Sequence, residues 1–324
     1  MNLDLLLPDS DLGPELREHA RQMREFAADK LAPHARSIDE QRRFRREMVH
    51  ELAAGGVLGG PLDRSWGGGG WSPMELAIAH EEIGAVCGST RGFLAVHTGL
   101  VAQCIESYGN AEQKQRWLPS LVRGEAIGCF CLTEPEAGSD VASLRTRADR
   151  SADGYVLHGQ KIWITNGGIA DLAVVFATVD PDKGRDGITA FVVETDRPGL
   201  RRVPVEGIEL GHRGSDHAQL FFEGLEVPDA AVIGDVGKGL RVAMGALAAG
   251  RLSVAAGAVG IHRAAPPHGL ARMGDDYPLV DIERPAVIAG EPGHVRRIFD
   301  EKRVETACCH FGAHQREPAI VFRL

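Results

Sequence analysis

The chain has 324 residues, of which 44% are hydrophobic and 25% are charged, a composition typical of a soluble globular protein. This length is enough for two domains, each with a sizeable core. The formal net charge is −9, which argues against a nucleic-acid-binding protein because phosphate contacts require basic patches.

The six cysteines fit no disulfide framework of a small secreted protein, so reduced thiols and a cytoplasmic location are expected. The first residues lack the basic segment and small-residue cleavage site of a signal peptide. No run approaches the roughly 20 apolar residues of a membrane helix, so no membrane partner is expected.

Helical periodicity dominates the first 125 residues or so. Residues 16–31 place apolar side chains at i, i+4, i+7, i+11 and i+15, which is one face of a helix, and residues 44–52 repeat this pattern before Gly55. The segment 72–75 predicts a helix start, because Ser can cap, Pro suits the first helical position and Glu completes a capping box. The segment 110–113 repeats this logic. Helices joined by short turns favour an antiparallel bundle.

Near Gly128 the pattern changes to short runs rich in Val, Ile, Phe and Thr, separated by Asp-Gly and Asn-Gly turns. The runs are residues 155–157, 161–164, 172–179, 188–193 and 218–222. They predict an antiparallel β domain and argue against a Rossmann fold.

Helical periodicity returns from Gly239 to about residue 261. Glycine inside a helix costs about 1 kcal/mol relative to alanine. This stretch contains four glycines, which predict that another helix or a ligand packs very close to it: Gly245, Gly250, Gly257 and Gly260. After Ala265 the chain is broken repeatedly by proline, and only residues 295–306 have the pattern of a short helix.

Two segments carry the chemistry. In residues 132–140, small and hydroxylated residues around Gly138 allow close approach of a flat ligand, and Thr133 and Ser139 offer hydroxyl donors. An ordinary turn entering a strand explains this segment equally well. On a strand, Trp163 and Thr165 point to one face, where an indole and a hydroxyl suit an isoalloxazine ring. The alternative is a Trp in the core of the β domain.

Together these segments resemble the acyl-CoA dehydrogenase family, from the N-terminal helices to about Arg263. Further matching motifs occur in the family's order: residues 108–114, 117–121, 211–216, 222–228 and 250–252. The resemblance implies an α+β fold with an N-terminal helical domain, a central β domain and one long helix that begins a C-terminal helical domain. The domains are then 1–127, 128–235 and 236–264, followed by a divergent tail, 265–324.

The resemblance also implies a reaction, a cofactor and partners. A glutamate removes the α-proton of an acyl-CoA while the β-hydrogen passes as hydride to the flavin of FAD, giving a trans-2-enoyl-CoA. Electron-transfer flavoprotein usually collects the electrons, and the family forms homo-oligomers.

The site residues implied by the resemblance lie in two FAD segments and one helix. Thr165 is expected near flavin N5, and Ser139 near the acyl-CoA. Arg251 matches an arginine beside the CoA, although a solvated helical arginine is the alternative. The predicted cofactor-binding residues are Phe130, Cys131, Leu132, Thr133, Gly138, Ser139, Trp163, Ile164 and Thr165.

The sequence departs from the family in its last part. The family's C-terminal motifs, including those that carry the usual glutamate, are missing, and the alternative position for that glutamate is Gly250 here. Neither Glu134 nor Glu136 matches a family base, so no catalytic residue is predicted. The preferred interpretation is a truncated or frame-shifted gene, and the alternative is a genuine different C-terminus. Loss of the helical bundle would remove the main oligomer surface and expose apolar faces between residues 240 and 261.

Three functions therefore remain open at this point: an acyl-CoA dehydrogenase, a non-catalytic remnant with weak or no flavin and CoA binding, and an oxygen-using flavin monooxygenase. No metal site is predicted, since Cys308, Cys309, His310 and His314 lack a second ligand pair. The glycine-rich segment 66–71 lacks the Lys and Ser/Thr of a phosphate loop and is interpreted as a helix linker. Cys129 and Cys131 are expected to be core thiols.

Overall fold

The computed structural model describes residues 12–205 and 211–265. In these residues an N-terminal group of helices is followed by a β-sheet domain and one long helix, which confirms the predicted fold class. The predictions for residues 295–306 and for the Cys308–His314 segment lie outside the described residues. The helices are α1 (Pro14–Phe26), α2 (Ala32–Gln41), α3 (Glu47–Ala54), α4 (Pro73–Val86), α5 (Gly88–Leu94), α6 (Gln103–Tyr108), α7 (Ala111–Val122) and α8 (Gly239–Ala264).

Local sequence signals determine the helix boundaries. The Ser72 hydroxyl accepts a hydrogen bond from the Glu75 amide, and the Glu75 carboxylate accepts one from the Ser72 amide, which confirms the predicted capping box. Asn110 and Gln113 form the second predicted box, at the start of α7. Two π-helical stretches, Ala27–Leu31 and Ala95–Ala102, join α1 to α2 and α5 to α6. The glycine-rich segment 66–71 links α3 to α4, as expected.

The sheet domain contains eight strands in the order β6-β7-β3-β2-β4-β5-β8, with β1 pairing β4. Most pairs are antiparallel, but β1 and β2 both run parallel to β4. The predicted β domain is confirmed as a mixed sheet that is mainly antiparallel, since side-chain alternation marks a strand without giving the direction of its neighbour. The strands are β1 (Gly128–Cys131), β2 (Arg147–Arg150), β3 (Gly154–Thr165), β4 (Leu172–Thr178), β5 (Ile188–Glu194), β6 (Leu200–Pro204), β7 (His217–Pro228) and β8 (Val232–Ile233).

Two hydrophobic cores lie on opposite faces of the central strands. Cys129 and Val175 belong to one core, whereas their neighbours Phe130 and Val174 belong to the other, which also contains side chains of α8. Strands β1 and β4 are consequently buried on both faces, with no exposed position along either. This double burial explains why their sequences are continuously apolar rather than alternating.

Helix α8 packs against α4 at very short range. A Cβ added at Gly260 would overlap the carbonyl oxygen of Glu81, and one added at Gly84 would lie 2.7 Å from the carbonyl oxygen of Gly257. The predicted close neighbour of the α8 glycines is thus another helix at these positions. Arg263 adds ion pairs with Glu81 and with the buried Glu82, both at 2.6 Å.

Part of the α8 surface is apolar and exposed, as expected from the sequence. The exposed large apolar side chains on this helix are Met244, Leu252, Val254, Val259 and Ile261. Among the described residues, α8 is also the one helix whose length and apolar composition would permit a membrane span. A core helix of a soluble protein meets the same criterion, but the expectation that no segment approaches a span was too strong.

The α4–α8 contact predicts the effect of adding one methyl group. Gly260→Ala forces the methyl group against the α4 backbone, and we expect the free energy of unfolding to fall by about 1–3 kcal/mol. The roughly 1 kcal/mol gained in helix propensity offsets part of a larger clash. Urea denaturation measures the change. Gly13→Ala is the control, because nothing lies within 4 Å of its added Cβ; equal stability of both variants would contradict the close contact.

Buried His97 predicts how stability depends on pH. Its Nε2 donates to the Leu121 carbonyl at 3.1 Å and its Nδ1 accepts from the Gly128 amide at 3.3 Å, so the ring is neutral. Burial lowers the pKa of His97 from 6.5 to about 4. Between these pH values the unfolded chain binds a proton that the folded chain does not, so stability falls as pH falls, by up to about 1.4 kcal/mol per pH unit for this residue.

We therefore expect His97→Gln to have a shallower pH dependence of the unfolding free energy between pH 6.5 and 4 than the parent chain. Urea denaturation at several pH values in this range measures the slope. His50→Gln, at an exposed histidine, is the matched control and should retain the parent slope. An unchanged slope in His97→Gln would show that His97 is protonated in the folded protein.

Candidate functional site

The loop after β1 and the second half of β3 lie side by side. The Ile162 amide donates to the Thr133 carbonyl oxygen at 3.0 Å, and the Lys161 ammonium donates to the Leu132 carbonyl oxygen at 3.1 Å. Because Ile162 directly precedes the 163–165 segment, these bonds place Thr133 next to that segment. Two segments whose contacts join residues 29 positions apart in the sequence therefore form one surface.

A buried ion pair holds this contact. Lys161 is fully buried and Glu134 is 6% exposed, and their charged atoms are 2.7 Å apart. The Glu134 carboxylate also accepts hydrogen bonds from the Arg145 amide at 2.6 Å and the Thr146 amide at 2.9 Å. Glu134 thus ties both ends of the loop 134–146 to the middle of β3.

The environment keeps this pair charged. Burial by itself raises the pKa of Glu134, but the charge and hydrogen bond of Lys161, with the bonds from Thr146 and Arg145, outweigh burial and lower it. Burial lowers the pKa of Lys161, and Glu134 opposes this change. The carboxylate oxygens of Glu134 accept hydrogen bonds from three donors, so Glu134 has a structural role at this contact.

Trp163 lies at an irregular point of β3. The pairing of β3 with β7 shifts by one residue between Lys161 and Ile164, and Trp163 adopts a φ of 60°, which is uncommon for a bulky side chain. The Trp163 side chain is 38% exposed, whereas Ile164 is 2% exposed. The indole therefore lies outside the core, which rules out a core tryptophan. Strain of this kind is concentrated at ligand sites.

Hydroxyl groups and open space surround the indole segment. Among the described residues, the hydroxyls of Thr133, Ser139 and Thr165 make no hydrogen bond, so they are available to a ligand. Gly138 and Ser139 are exposed, and a Cβ added at Gly138 would meet no atom within 4 Å. This surface has the donors and the clearance that a flat, polar-edged ring requires.

Four of the predicted cofactor residues have side chains directed into the protein. The Phe130 ring packs against the Phe176 ring in a tilted arrangement, with 4.9 Å between ring centroids, and Leu132 belongs to the same core. Cys131 and Ile164 lie in the other core. Any contact of these four residues with a ligand would use main-chain atoms. The remaining predicted residues present the accessible side chains described above.

A second polar cluster lies where α5 meets α8. The Arg91 side chain is 7% exposed, and its Nη2 lies 3.1 Å from Nε2 of His212. Arg91 Nε, His80 Nδ1 and Ser215 Oγ are buried without a hydrogen-bond partner. The α8 backbone covers the cluster, because a Cβ added at Gly257 would be 2.5 Å from Cδ of Arg91.

Arg91 is a buried cation without a paired carboxylate in the described part of the chain. Burial lowers the pKa of Arg91, and burial followed by the charge of Arg91 lowers the pKa of His212 to about 4 and of His80 to about 3. Both histidines are therefore neutral near pH 7. An isolated buried charge is costly unless a counter-ion accompanies it, so this cluster has the properties of an anion site.

The α8 face beside this cluster carries no acidic residue. A Cβ added at Gly250 would lie 3.1 Å from the Leu100 side chain, and the Ser253 hydroxyl donates to the Gly250 carbonyl at 2.8 Å. No Asp or Glu occurs between residues 239 and 264. Arg251 is exposed on the same helix. Within residues 12–205 and 211–265, no group of three or more His, Cys, Asp or Glu side chains is arranged to hold a metal ion.

The family models for the acyl-CoA dehydrogenase N-terminal domain and middle domain match residues 13–125 and 129–225. An acyl-CoA dehydrogenase of Bacillus subtilis is 36% identical over 294 residues, which are 91% of this chain and 76% of that protein. The chain belongs to the acyl-CoA dehydrogenase family. The alignment with the Bacillus protein is longer than the stretch of residues 1–265, so it also includes part of the tail.

Other acyl-CoA dehydrogenases show the same relationship. A short-chain specific enzyme of Clostridium acetobutylicum is 44% identical over 246 residues, covering 76% of this chain and 65% of that protein. A glutaryl-CoA dehydrogenase from Mycobacterium smegmatis, solved in complex with FADH2, superposes with a TM-score of 0.76 at 35% identity, covering 81% of this chain and 66% of that one. The chain spans about two thirds of the length of these two proteins.

Sequence reasoning missed three residues of this acyl-CoA dehydrogenase scaffold. The pattern around Lys161 indicates only the start of a strand, although a lysine within an apolar run is a signal that a buried partner exists. Arg91 carries no such signal, because it lies among small residues on a helix. His212 was part of a matching family motif without an assigned role. Each of these residues interacts with a partner that is distant in the sequence.

Proposed function

We propose that this chain binds FAD on the surface formed by residues 132–140 and 163–165 and acts in the α,β-dehydrogenation of an acyl-CoA thioester to a trans-2-enoyl-CoA. The observation that supports this proposal is the contact between the two segments, with the Trp163 indole exposed beside unpaired hydroxyls. Membership in a family with an FADH2-bound relative supports the same cofactor.

The residues fit FAD in chemical type. Trp163 would cover one face of a flat ring, Thr133 and Thr165 would donate hydroxyls to its polar edge, and the clearance at Gly138 would admit it. The chemistry that FAD supplies when bound is acceptance of the substrate β-hydrogen as hydride. Exposed Arg251 on α8 would hold the phosphates of CoA, since guanidinium groups bind phosphate oxygens strongly.

Proton removal is the step for which the described residues offer no group. General base catalysis contributes about 10²- to 10⁴-fold in typical enzymes, and here the α-proton must leave for the reaction to occur. The alternative function is accordingly a flavin-binding protein without turnover, favoured by Gly250 and the acid-free α8. An oxygen-using monooxygenase on the same scaffold is favoured by no observation. Electron-transfer flavoprotein as acceptor, a homo-oligomer and a cytoplasmic location remain predictions.

The cofactor proposal predicts a yellow protein that binds FAD with a defined stoichiometry. Gly138→Val should lower the FAD affinity at least tenfold, or about 1.4 kcal/mol, because its side chain occupies the open space, while the urea midpoint stays unchanged. Flavin fluorescence quenching measures the affinity. The control variant is Ala258→Val, at an exposed position on α8. Gly184→Val is not used, because Gly184 has a positive φ that valine does not readily adopt.

Anaerobic addition of an acyl-CoA separates the two functions. Bleaching of the flavin absorbance supports dehydrogenation. Flavin that binds but is reduced by none of butyryl-, isovaleryl- and glutaryl-CoA supports the non-catalytic alternative. Absence of FAD binding would overturn the proposal as a whole.

Arg91 supports a finer proposal about the substrate, namely that the acyl group ends in a carboxylate. The cluster of Arg91, His212 and Ser215 lies beside the face of α8 that contacts Leu100, and its buried cation has no counter-ion among the described residues. Glutaryl-CoA carries a second carboxylate, whereas a saturated short-chain acyl-CoA ends in a methyl group. A carboxylate paired with Arg91 would offset the cost of burying both charges.

This finer proposal predicts that Arg91→Met weakens glutaryl-CoA binding at least tenfold, or about 1.4 kcal/mol, and leaves butyryl-CoA binding within about twofold. Calorimetric titration with each thioester measures both affinities. The ligand-free variant should be at least as stable as the parent, because a buried unpaired charge is removed. Arg24→Met, which breaks the ion pair with Glu82, is the control and should lose stability without a change in ligand preference.

A further inference from the structure

The ion pair between Lys161 and Glu134 is built in a way that a simple stabilising contact does not require. Replacing a buried ion pair by apolar residues of similar volume is often neutral or even stabilising, because removing two charges from water is costly. The fold therefore gains little free energy from this pair alone. The pair instead fixes the position of the loop between β1 and β2.

Apart from the bond between the two charges, each hydrogen bond of the pair reaches a main-chain atom of that loop. Lys161 donates to the Leu132 carbonyl at 3.1 Å, on the residue that precedes Thr133. Glu134 accepts from the amides of Arg145 and Thr146, at the far end of the loop. Within the loop, the Glu134 and Ala137 main chains bond each other in both directions. The loop is thereby closed at its base and left open at Gly138 and Ser139.

On the side of β3, the pair lies beside the irregular step in the strand. Lys161 is the last residue in regular register with β7 before the shift that precedes Ile164, and the Ile162 amide bonds Thr133. Displacement of Lys161 would therefore disturb Thr133 and Trp163 together. No other ion pair between the described residues is buried at both ends and joins these two segments.

We propose that Lys161 and Glu134 are positioning residues, which hold Thr133 and the Trp163–Thr165 segment in the one relative arrangement that binds the flavin ring. They act through the loop and the strand and need not touch the cofactor. This inference rests on the proposed FAD site, and it adds the residues responsible for the shape of that site.

The test uses the full chain with the paired variant Glu134→Gln/Lys161→Met, which removes both charges and nearly conserves volume. Two measurements are made: the Kd for FAD by fluorescence quenching, and amide hydrogen exchange without FAD. We expect the Kd to rise at least tenfold. Exchange at the amides of Arg145, Thr146 and Ile162 should accelerate at least tenfold, while exchange at Val174, in the core of β4, stays unchanged.

Glu82→Gln is the matched control, because Glu82 is an equally buried carboxylate that pairs with Arg24 and Arg263 in the helical part. It should lower the urea midpoint and leave the FAD Kd and loop exchange at parent values. If Glu82→Gln weakens FAD binding as much as the paired variant does, the effect is general instability and the inference is wrong.

Conservative variants keep the test decisive if the paired variant does not fold. Lys161→Arg retains the charge and should bind FAD more tightly than Lys161→Met, with slower exchange at the amides of Arg145, Thr146 and Ile162. Equal FAD affinity of these two variants would overturn the positioning role. Unchanged exchange in a folded paired variant would show that the pair does not hold the loop.

The outcomes also separate this inference from the function on which it rests. If the parent chain binds no FAD, the proposed function fails and the inference fails with it. If the parent binds FAD and the paired variant binds it equally well, only the inference fails.

Discussion

The arrangement of the candidate flavin surface depends on one buried contact, the ion pair of Lys161 and Glu134. Its two charges are about 27 residues apart in sequence, on a strand and on the loop after another strand. Because the interior offers few polar groups, each charge requires the other and the main-chain atoms around it. The pair therefore has a single favourable arrangement, and Thr133 and Ile162 take their relative positions from it.

The rest of the described chain packs into two cores around this contact. Strands β1 and β4 are apolar on both faces, so that β1 can lie only between the two cores. His97 links the π-helical stretch, α7 and β1 through its two ring nitrogens. Close approach of α4 and α8 at Gly84, Gly257 and Gly260 then determines where Arg91 and the acid-free face of α8 lie.

Two features of this part of the structure lower its free energy of unfolding. Arg91 is buried without a carboxylate partner in the described chain, and α8 leaves large apolar side chains exposed on its outer side. Both cost free energy in the isolated structure. A buried charged group without an opposite charge is a candidate for ligand binding, and the buried cation at the α5–α8 contact fits that description. The molecule thus combines a candidate flavin surface with a candidate anion site, and no Asp or Glu lies between residues 239 and 264.

The sequence by itself determined the features that depend on neighbouring residues. The capping boxes at Ser72 and Asn110, the amphipathic helices, the strands after Gly128 and the close neighbour of the α8 glycines were all predictable, because local periodicity and capping specify them. The two family segments were also recognisable, together with the absence of an acidic residue at position 250. The roles assigned to individual residues in those segments remain predictions.

Only the tertiary structure decided the parallel direction of β1 and β2, the outward position of Trp163 and the partners of Lys161 and Arg91. Strand direction depends on the path of the chain between strands, which side-chain alternation does not encode. The exposure of Trp163 depends on a register shift against β7. The role of a buried charge depends on which group faces it and on whether that group carries the opposite charge. For Lys161 and Arg91 the facing group lies far away along the chain.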